Sequence, residues 1–245
     1  MQLQLLDIRE IKGKIILRSG LHIGAGDTDM HIGGIDNTVV RHPHTQEPYV
    51  PGSSLKGKVR SLLEMKSGLM PKTKGAPLQA KHLHLDNLES EQKEECLKIL
   101  KLFGSSGADA EEIAEFGPTR LSFADCPLSE KSRENAKEER FSLFEIKSET
   151  AIDRISGTAK SGSLRFIERV PADTEFDFTV CLKMLGKEDD ELFDYLLLGL
   201  KLLTMDALGG SGSRGYGKIE FDFDDEDIKK RFENVKPFDN GGKEL

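Results

Sequence analysis

The chain has 245 residues, 37% of them hydrophobic and 32% charged, with a formal net charge of −8. That suits one large domain, or a core domain with insertions, under a heavily charged surface. No apolar run is long enough to span a bilayer and no secretory leader is recognised, so a membrane partner is not expected. The three cysteines, Cys96, Cys126 and Cys181, are widely spaced and form no CxxC pair, which argues against a disulfide framework or a standard zinc finger and for a reducing cytoplasm.

In chain order, Ile11, Ile15 and Leu17 alternate against Lys12, Lys14 and Arg18, a strand with one wet face. Pro51-Gly52-Ser53-Ser54 reads as a turn and N-cap signal. The helix after it carries Leu55, Val59, Leu62 and Leu63 on one stripe and Lys56 and Arg60 on another. Residues 66–117 read as an insertion, with a helix around Glu91–Phe103 and a break at Gly104–Gly107. Arg120–Asp125 is a short strand candidate, with Leu121 and Phe123 on one side. The apolar residues of 145–169 are scattered rather than periodic, so this excursion reads as a protruding hairpin or loop. Phe176, Phe178, Val180 and Leu182 mark another strand. A helix from about Asp189 to Ala207 opens on acids that suit its dipole and is ended by Gly209 and Gly210. Ile219, Phe221 and Phe223 alternate with acids in a last strand, and residues 225–245 read as a frayed tail. The order of elements suggests an α+β, split βαβ, ferredoxin-like sheet.

Three segments could carry chemistry. In Leu208–Lys218 the five glycines Gly209, Gly210, Gly212, Gly215 and Gly217 let the backbone approach a phosphate and form an anion nest. Ser211, Ser213 and Arg214 add donors, and Tyr216 is a candidate base-stacking ring. It is not a Walker loop, since Gly-Lys-[Ser/Thr] is absent. In Pro51–Arg60, a helix N-terminus and Lys56, Lys58 and Arg60 could attract an anion. In Gly20–Asp36, the residues His22, Asp27, Asp29, His31 and Asp36 could hold a divalent cation or orient a ribose hydroxyl, although spacing alone favours a solvated loop. The net negative charge opposes RNA binding unless basic residues are gathered locally. Lys12–Arg18 and Lys56–Arg60 are basic stretches without acid.

Gly20-Leu-His-Ile-Gly24, Gly34–Arg41, Pro48–Arg60, Leu102-Phe-Gly104, Ile152-Asp-Arg154 and Leu208–Lys218 occur in an order that resembles the RAMP superfamily of CRISPR proteins. Within that superfamily they are most similar to the repeated backbone subunit of the type III-A Csm effector complex. The resemblance implies a modified RRM-like palm (about 8–65, 118–144 and 170–223), a finger-like insertion (66–117) and a thumb (145–169). It implies copies of the chain stacked along a CRISPR guide RNA beside other type III-A subunits. Complementary target RNA would be cut at regular intervals, with magnesium or manganese as the divalent cation. By position, Asp36 matches the catalytic aspartate, as base or metal ligand. His22, Lys56, Lys58, Arg60, Arg154 and the glycine loop Gly209–Tyr216 match guide-contacting positions. The alternative readings are a non-catalytic RNA-binding scaffold and a stand-alone metal-dependent nuclease using Asp27, Asp29, Asp36 and His22.

Overall fold

The computed structural model describes residues 4–26, 37–107, 113, 115–138, 142–186 and 189–238. Among these, the elements in chain order are β1 (Asp7–Leu17), β2 (Tyr49–Val50), α1 (Gly52–Lys66), a 3-10 turn at Ala80–His84, α2 (Ser90–Phe103), β3 (Leu121–Phe123) and β4 (Cys126–Pro127). There follow α3 (Glu130–Glu138), β5 (Glu145–Glu149), β6 (Arg165–Arg169), β7 (Glu175–Met184), α4 (Asp189–Met205), a 3-10 turn at Gly212–Arg214, β8 (Ile219–Phe223) and α5 (Glu226–Glu233).

The main sheet runs β3-β7-β1-β8, antiparallel throughout. With α1 between β1 and β3, and α4 between β7 and β8, this is a double split βαβ, the ferredoxin-like arrangement expected from the element order. Register follows the alternation: Ile11 lies opposite Val180, Ile15 opposite both Phe176 and Phe221, and Leu17 opposite Ile219. Ile11, Ile15, Leu17, Phe176, Val180 and Leu182 are sealed from solvent under α1 and α4, whose Leu55, Val59, Leu63, Leu196, Leu200 and Leu203 are equally buried. The opposite face stays wet, and its charges pair across strands (Lys14 with Asp177, Arg18 with Glu220).

The start of α1 differs from the capping signal in the sequence. Pro51 is the N-cap and makes no side-chain bond, and Ser53 and Ser54 lie inside the first turn. The cap comes from across the fold: Asp125 Oδ1 accepts from Gly52 N at 2.7 Å. Gly52 is needed there because a Cβ would stand 2.5 Å from the Phe123 carbonyl oxygen.

Helix α2 of the finger-like insertion is anchored on the core through Cys96, Ile99, Leu100 and Leu102, all fully buried. One further segment departs from expectation. The segment expected to fray from residue 225 begins with α5, capped by Asp225, which accepts from Asp227 N (2.8 Å) and Ile228 N (3.0 Å). Phe232 of α5 packs edge-on against Phe223, 4.9 Å between ring centres. That anchor is one aromatic in a charged stretch, too sparse to read as a periodic pattern.

Candidate nucleic-acid interface

The glycine loop after α4 is a built structure seated on the segment Ser19–His22. Gly210 N donates to the His22 carbonyl (2.9 Å), Gly217 N to that of Gly20 (3.0 Å) and Lys218 N to Ser19 Oγ (3.0 Å). Leu208 N donates to the Gly217 carbonyl (2.9 Å), closing the loop at its neck. Gly209 and Gly217 hold φ of 74° and 70°; a Cβ would stand 2.4 Å from the His22 oxygen at the first and 1.9 Å from the Leu208 oxygen at the second. Between them, Ser211 and Gly212 are half-buried and Ser213, Arg214 and Gly215 are exposed, forming an outward rim. The anion nest is narrower than the composition suggests, because the N–H groups of Gly210, Arg214, Gly215 and Gly217 all donate to carbonyls of the chain.

Tyr216 corrects the stacking expectation. Its side chain is fully buried, so it offers no platform to a base. The hydroxyl donates to Glu149 Oε1 of β5 at 2.8 Å. The Lys147 ammonium lies 4.4 Å from the ring centre and the Arg169 guanidinium 5.0 Å from it. Arg214 pairs with the other Glu149 oxygen. Burial, together with the bond to Glu149, pushes the Tyr216 hydroxyl up to about 12, and that bond, with Arg214 and Lys147, holds the Glu149 carboxyl below its usual range. The glycine loop is thus locked to the β5–β6 hairpin.

The hairpin's tip is open to solvent: Ile155 is 100% exposed, and Ile152 and Leu164 are exposed too. Arg154 stands exposed at this tip, and it has no ion-pair partner among the described residues. The hairpin's base is held by Glu168, whose carboxylate is buried. One oxygen accepts from Val39 N (2.9 Å), the other from Arg41 (2.5 Å), while the Glu168 carbonyl meets His22 Nδ1 at 2.6 Å. A carbonyl can only accept, so His22 Nδ1 is the donor in this bond. Gly24 bridges Val39, and Asn37 bridges Ile167. His22, Asn37 and the glycine loop therefore converge at the foot of the hairpin.

The basic residues of α1 separate. Arg60 turns inward: Nε bonds Glu64 Oε1 (2.7 Å) and Nη2 bonds the Leu78 carbonyl (2.5 Å), so it ties the insertion to α1. Lys58 pairs with Asp206 at 2.6 Å. Lys56 has no ion-pair partner among the described residues, and burial, with Arg60 nearby, lowers its pKa. The helix N-terminus already faces the Asp125 carboxylate. The basic run on β1 is also neutralised, Lys12 by Glu10, Lys14 by Asp177 and Arg18 by Glu220, so it makes no free positive patch.

Asp36, Asp27, Asp29 and His31 lie outside the described residues. Among the described residues no three His, Cys, Asp or Glu side chains converge as metal ligands. Glu149 and Glu168, which bond the hairpin to the loop and to Arg41, are committed to arginines, so the described residues do not fit a metal cage. Burial pushes the Cys96 and Cys126 thiols up to about 12, which leaves them inert. No described helix is long and apolar enough to cross a membrane. Sequence reasoning missed Glu149, Glu168 and Arg169, because their partners are remote: Glu149 lies 65 residues from Arg214 and Glu168 lies 127 from Arg41. Arg41 itself was visible only as the end of the Gly34–Arg41 stretch.

The RAMP superfamily pattern matches residues 14–220. The chain is 40% identical over 217 residues to the CRISPR system Cms endoribonuclease Csm3 of Methanocaldococcus jannaschii, covering 86% of this chain and 79% of that protein. It is 38% identical over 226 residues to the protein of the same name from Mycobacterium tuberculosis, covering 86% and 85%. Among solved structures, Methanopyrus kandleri Csm3 superposes with a TM-score of 0.54 at 25% identity, over 88% of this chain and 75% of that one. A chain of the Csm3-Csm4 subcomplex of the type III-A CRISPR-Cas interference complex gives 0.52 at 28%, over 90% and 77%. With a matching pattern across most of its length and such relatives, the chain belongs to the RAMP superfamily.

Proposed function

We propose that this chain is a guide-RNA-binding backbone subunit of a type III-A CRISPR interference complex and cuts complementary target RNA at regular intervals. The observation that carries the reading is the convergence at the foot of the β5–β6 hairpin. There the glycine loop, His22 and Asn37 meet, and Asn37 directly follows Asp36 in sequence. The relatives' shared name, endoribonuclease, supports cutting, and the subcomplex neighbour supports assembly with other subunits. Copies of the chain stacked along the guide belong to the same proposal.

In this reading the exposed rim Ser213–Gly215, Lys56 and Arg154 meet guide phosphates, and contacts of this kind position RNA without reading bases. The apolar hairpin tip enters the guide–target duplex and bends the target. Bending brings a target 2′-hydroxyl in line with its neighbouring phosphorus. The 2′-oxygen attacks, the 5′-oxygen leaves, and the ends are a 2′,3′-cyclic phosphate and a 5′-hydroxyl. Most of the acceleration comes from positioning. Asp36 is the group assigned to the chemistry, and dependence on magnesium or manganese is part of the proposal.

The test is the assembled complex with guide RNA and labelled complementary target. Asp36→Ala should leave target binding unchanged and abolish the periodic products. Undiminished cutting by Asp36→Ala would sink the catalytic assignment. An intact target with the unaltered complex, magnesium and manganese included, would make the chain a scaffold. Full cutting in the presence of a chelator would remove the metal from the proposal.

A further inference from the structure

Two cations expected to meet RNA phosphate are already held by carboxylates of this chain. Arg214, on the rim of the glycine loop, is paired with Glu149, and Lys58 with Asp206. These pairs differ from Arg60–Glu64, which is mostly buried and ties two segments together. The Arg214 side chain is 48% exposed over a Glu149 that is 11% exposed, and Asp206 is 48% exposed beside Lys58 at 32%, so an RNA strand can reach the cation of the first pair and both members of the second.

Each carboxylate is placed by something other than the cation. The Tyr216 hydroxyl fixes one Glu149 oxygen, leaving the second to face Arg214. Asp206 stands just past the C-terminal end of α4, where negative charge is disfavoured. Two lysines meet there: Lys58 on the carboxylate, and Lys218, whose Nζ donates to the carbonyls of Met205 (3.1 Å) and Asp206 (2.7 Å). A carboxylate oxygen on a guanidinium or ammonium occupies the position that a phosphate oxygen would take.

We propose that Glu149 and Asp206 are internal stand-ins for the RNA backbone: they hold Arg214 and Lys58 in the free chain and are displaced when phosphates arrive. The inference rests on the RNA-binding reading above. Three effects follow. Affinity for RNA is set by an exchange of anions rather than by free cations. A displaced carboxylate takes up a solution cation, which offsets part of the counterion release and flattens the salt dependence. And because Glu149 belongs to β5, RNA arriving at the glycine loop removes one of its ties to the hairpin while the Tyr216–Glu149 bond stays, so guide binding loosens the hairpin.

The experiment measures binding of a labelled single-stranded RNA to the full chain by fluorescence anisotropy across a salt series. Glu149→Gln keeps an acceptor for Tyr216 and removes the charge. Asp206→Asn does the same at an exposed site, and serves alone if the first variant misfolds. Asp194→Asn, which frees Arg231 near the other end of α4, controls for net charge. Glu149→Gln and Asp206→Asn should each tighten binding about two- to fivefold beyond the control, the worth of an exposed ion pair. Each should also steepen the slope of log affinity against log salt by about 0.7. The gain from Glu149→Gln should vanish in an Arg214→Ala background. If the unaltered chain binds RNA and Arg214→Ala weakens it, yet both variants match the control, the stand-in role is wrong and the RNA-binding reading stands. If the unaltered chain binds no RNA, or Arg214→Ala and Lys58→Ala change nothing, the RNA-binding reading falls and the stand-in role with it.

Discussion

Three basic residues within five positions of α1, Lys56, Lys58 and Arg60, end in three different environments. Arg60 is clasped by Glu64 and the Leu78 carbonyl, Lys58 shares Asp206, and Lys56 is left without an anion among the described residues. The sequence shows their charge and their helical spacing. It does not show which acids fold back to meet them, because Asp206 is 148 residues from Lys58 by number (206 minus 58). The two residues therefore part company under mutation. Arg60→Ala should cost about 1–3 kcal/mol by leaving Glu64 and the Leu78 carbonyl under-bonded, lowering Tm by about 2–4 °C per kcal/mol for a chain of this size. Lys56→Ala should move stability by less than about 0.5 kcal/mol and weaken RNA binding, most at low salt. Thermal melts alongside RNA titration separate the two; a stable Arg60→Ala protein that has lost RNA affinity would reverse the assignment.

At the scale of elements, the alternating strands and the two long helices were legible because each needs only its own residues and a neighbouring apolar face. The glycine loop was legible as a site but not as a shape. Five glycines announce close approach, yet what is approached, the His22 and Leu208 carbonyls, is settled by packing between distant segments. The same packing turned Tyr216 inward. The glycines are consequently unequal. Gly217→Ala forces a Cβ onto the Leu208 oxygen at φ of 70° and should cost about 1–3 kcal/mol, with the loop displaced and RNA binding impaired. Gly215 has φ of 84° but nothing within 4 Å of its absent Cβ, so Gly215→Ala should cost about 1 kcal/mol and leave the loop in place. Denaturant unfolding of both variants checks the ranking; equal costs would mean that the neck of the loop yields more easily than its contacts indicate.

For the whole molecule, the feature most hidden from the sequence is an ion pair in the interior. Arg120 and Asp189 are both fully buried, joined at 3.1 Å. Asp189 also accepts from Leu185 N (2.6 Å) and Gly186 N (3.1 Å), and Arg120 donates to the Phe116 carbonyl (2.9 Å). In sequence, Asp189 is one acid of a helix-opening cluster and Arg120 the first residue of a short strand candidate. Only the fold makes them the joint between the end of the insertion, the β3 edge and the start of α4. Asp189→Ala leaves a buried guanidinium unpaired and should cost about 3–5 kcal/mol, visible as a large fall in the denaturation midpoint. A loss under about 1 kcal/mol would mean that water reaches Arg120.

The main sheet ends on β3 and β8, and its two borders are both poor templates for another backbone. The β3 border is three residues long. Along β8, Glu220 and Asp222 alternate outward, each already paired with a cation of the same chain, Arg18 and Lys229. Short border strands and charged side chains beside a border are devices by which sheet proteins resist edge-to-edge aggregation. Copies of this chain, stacked on a guide as proposed above, would then meet through side chains and loops instead of fusing into a continuous sheet.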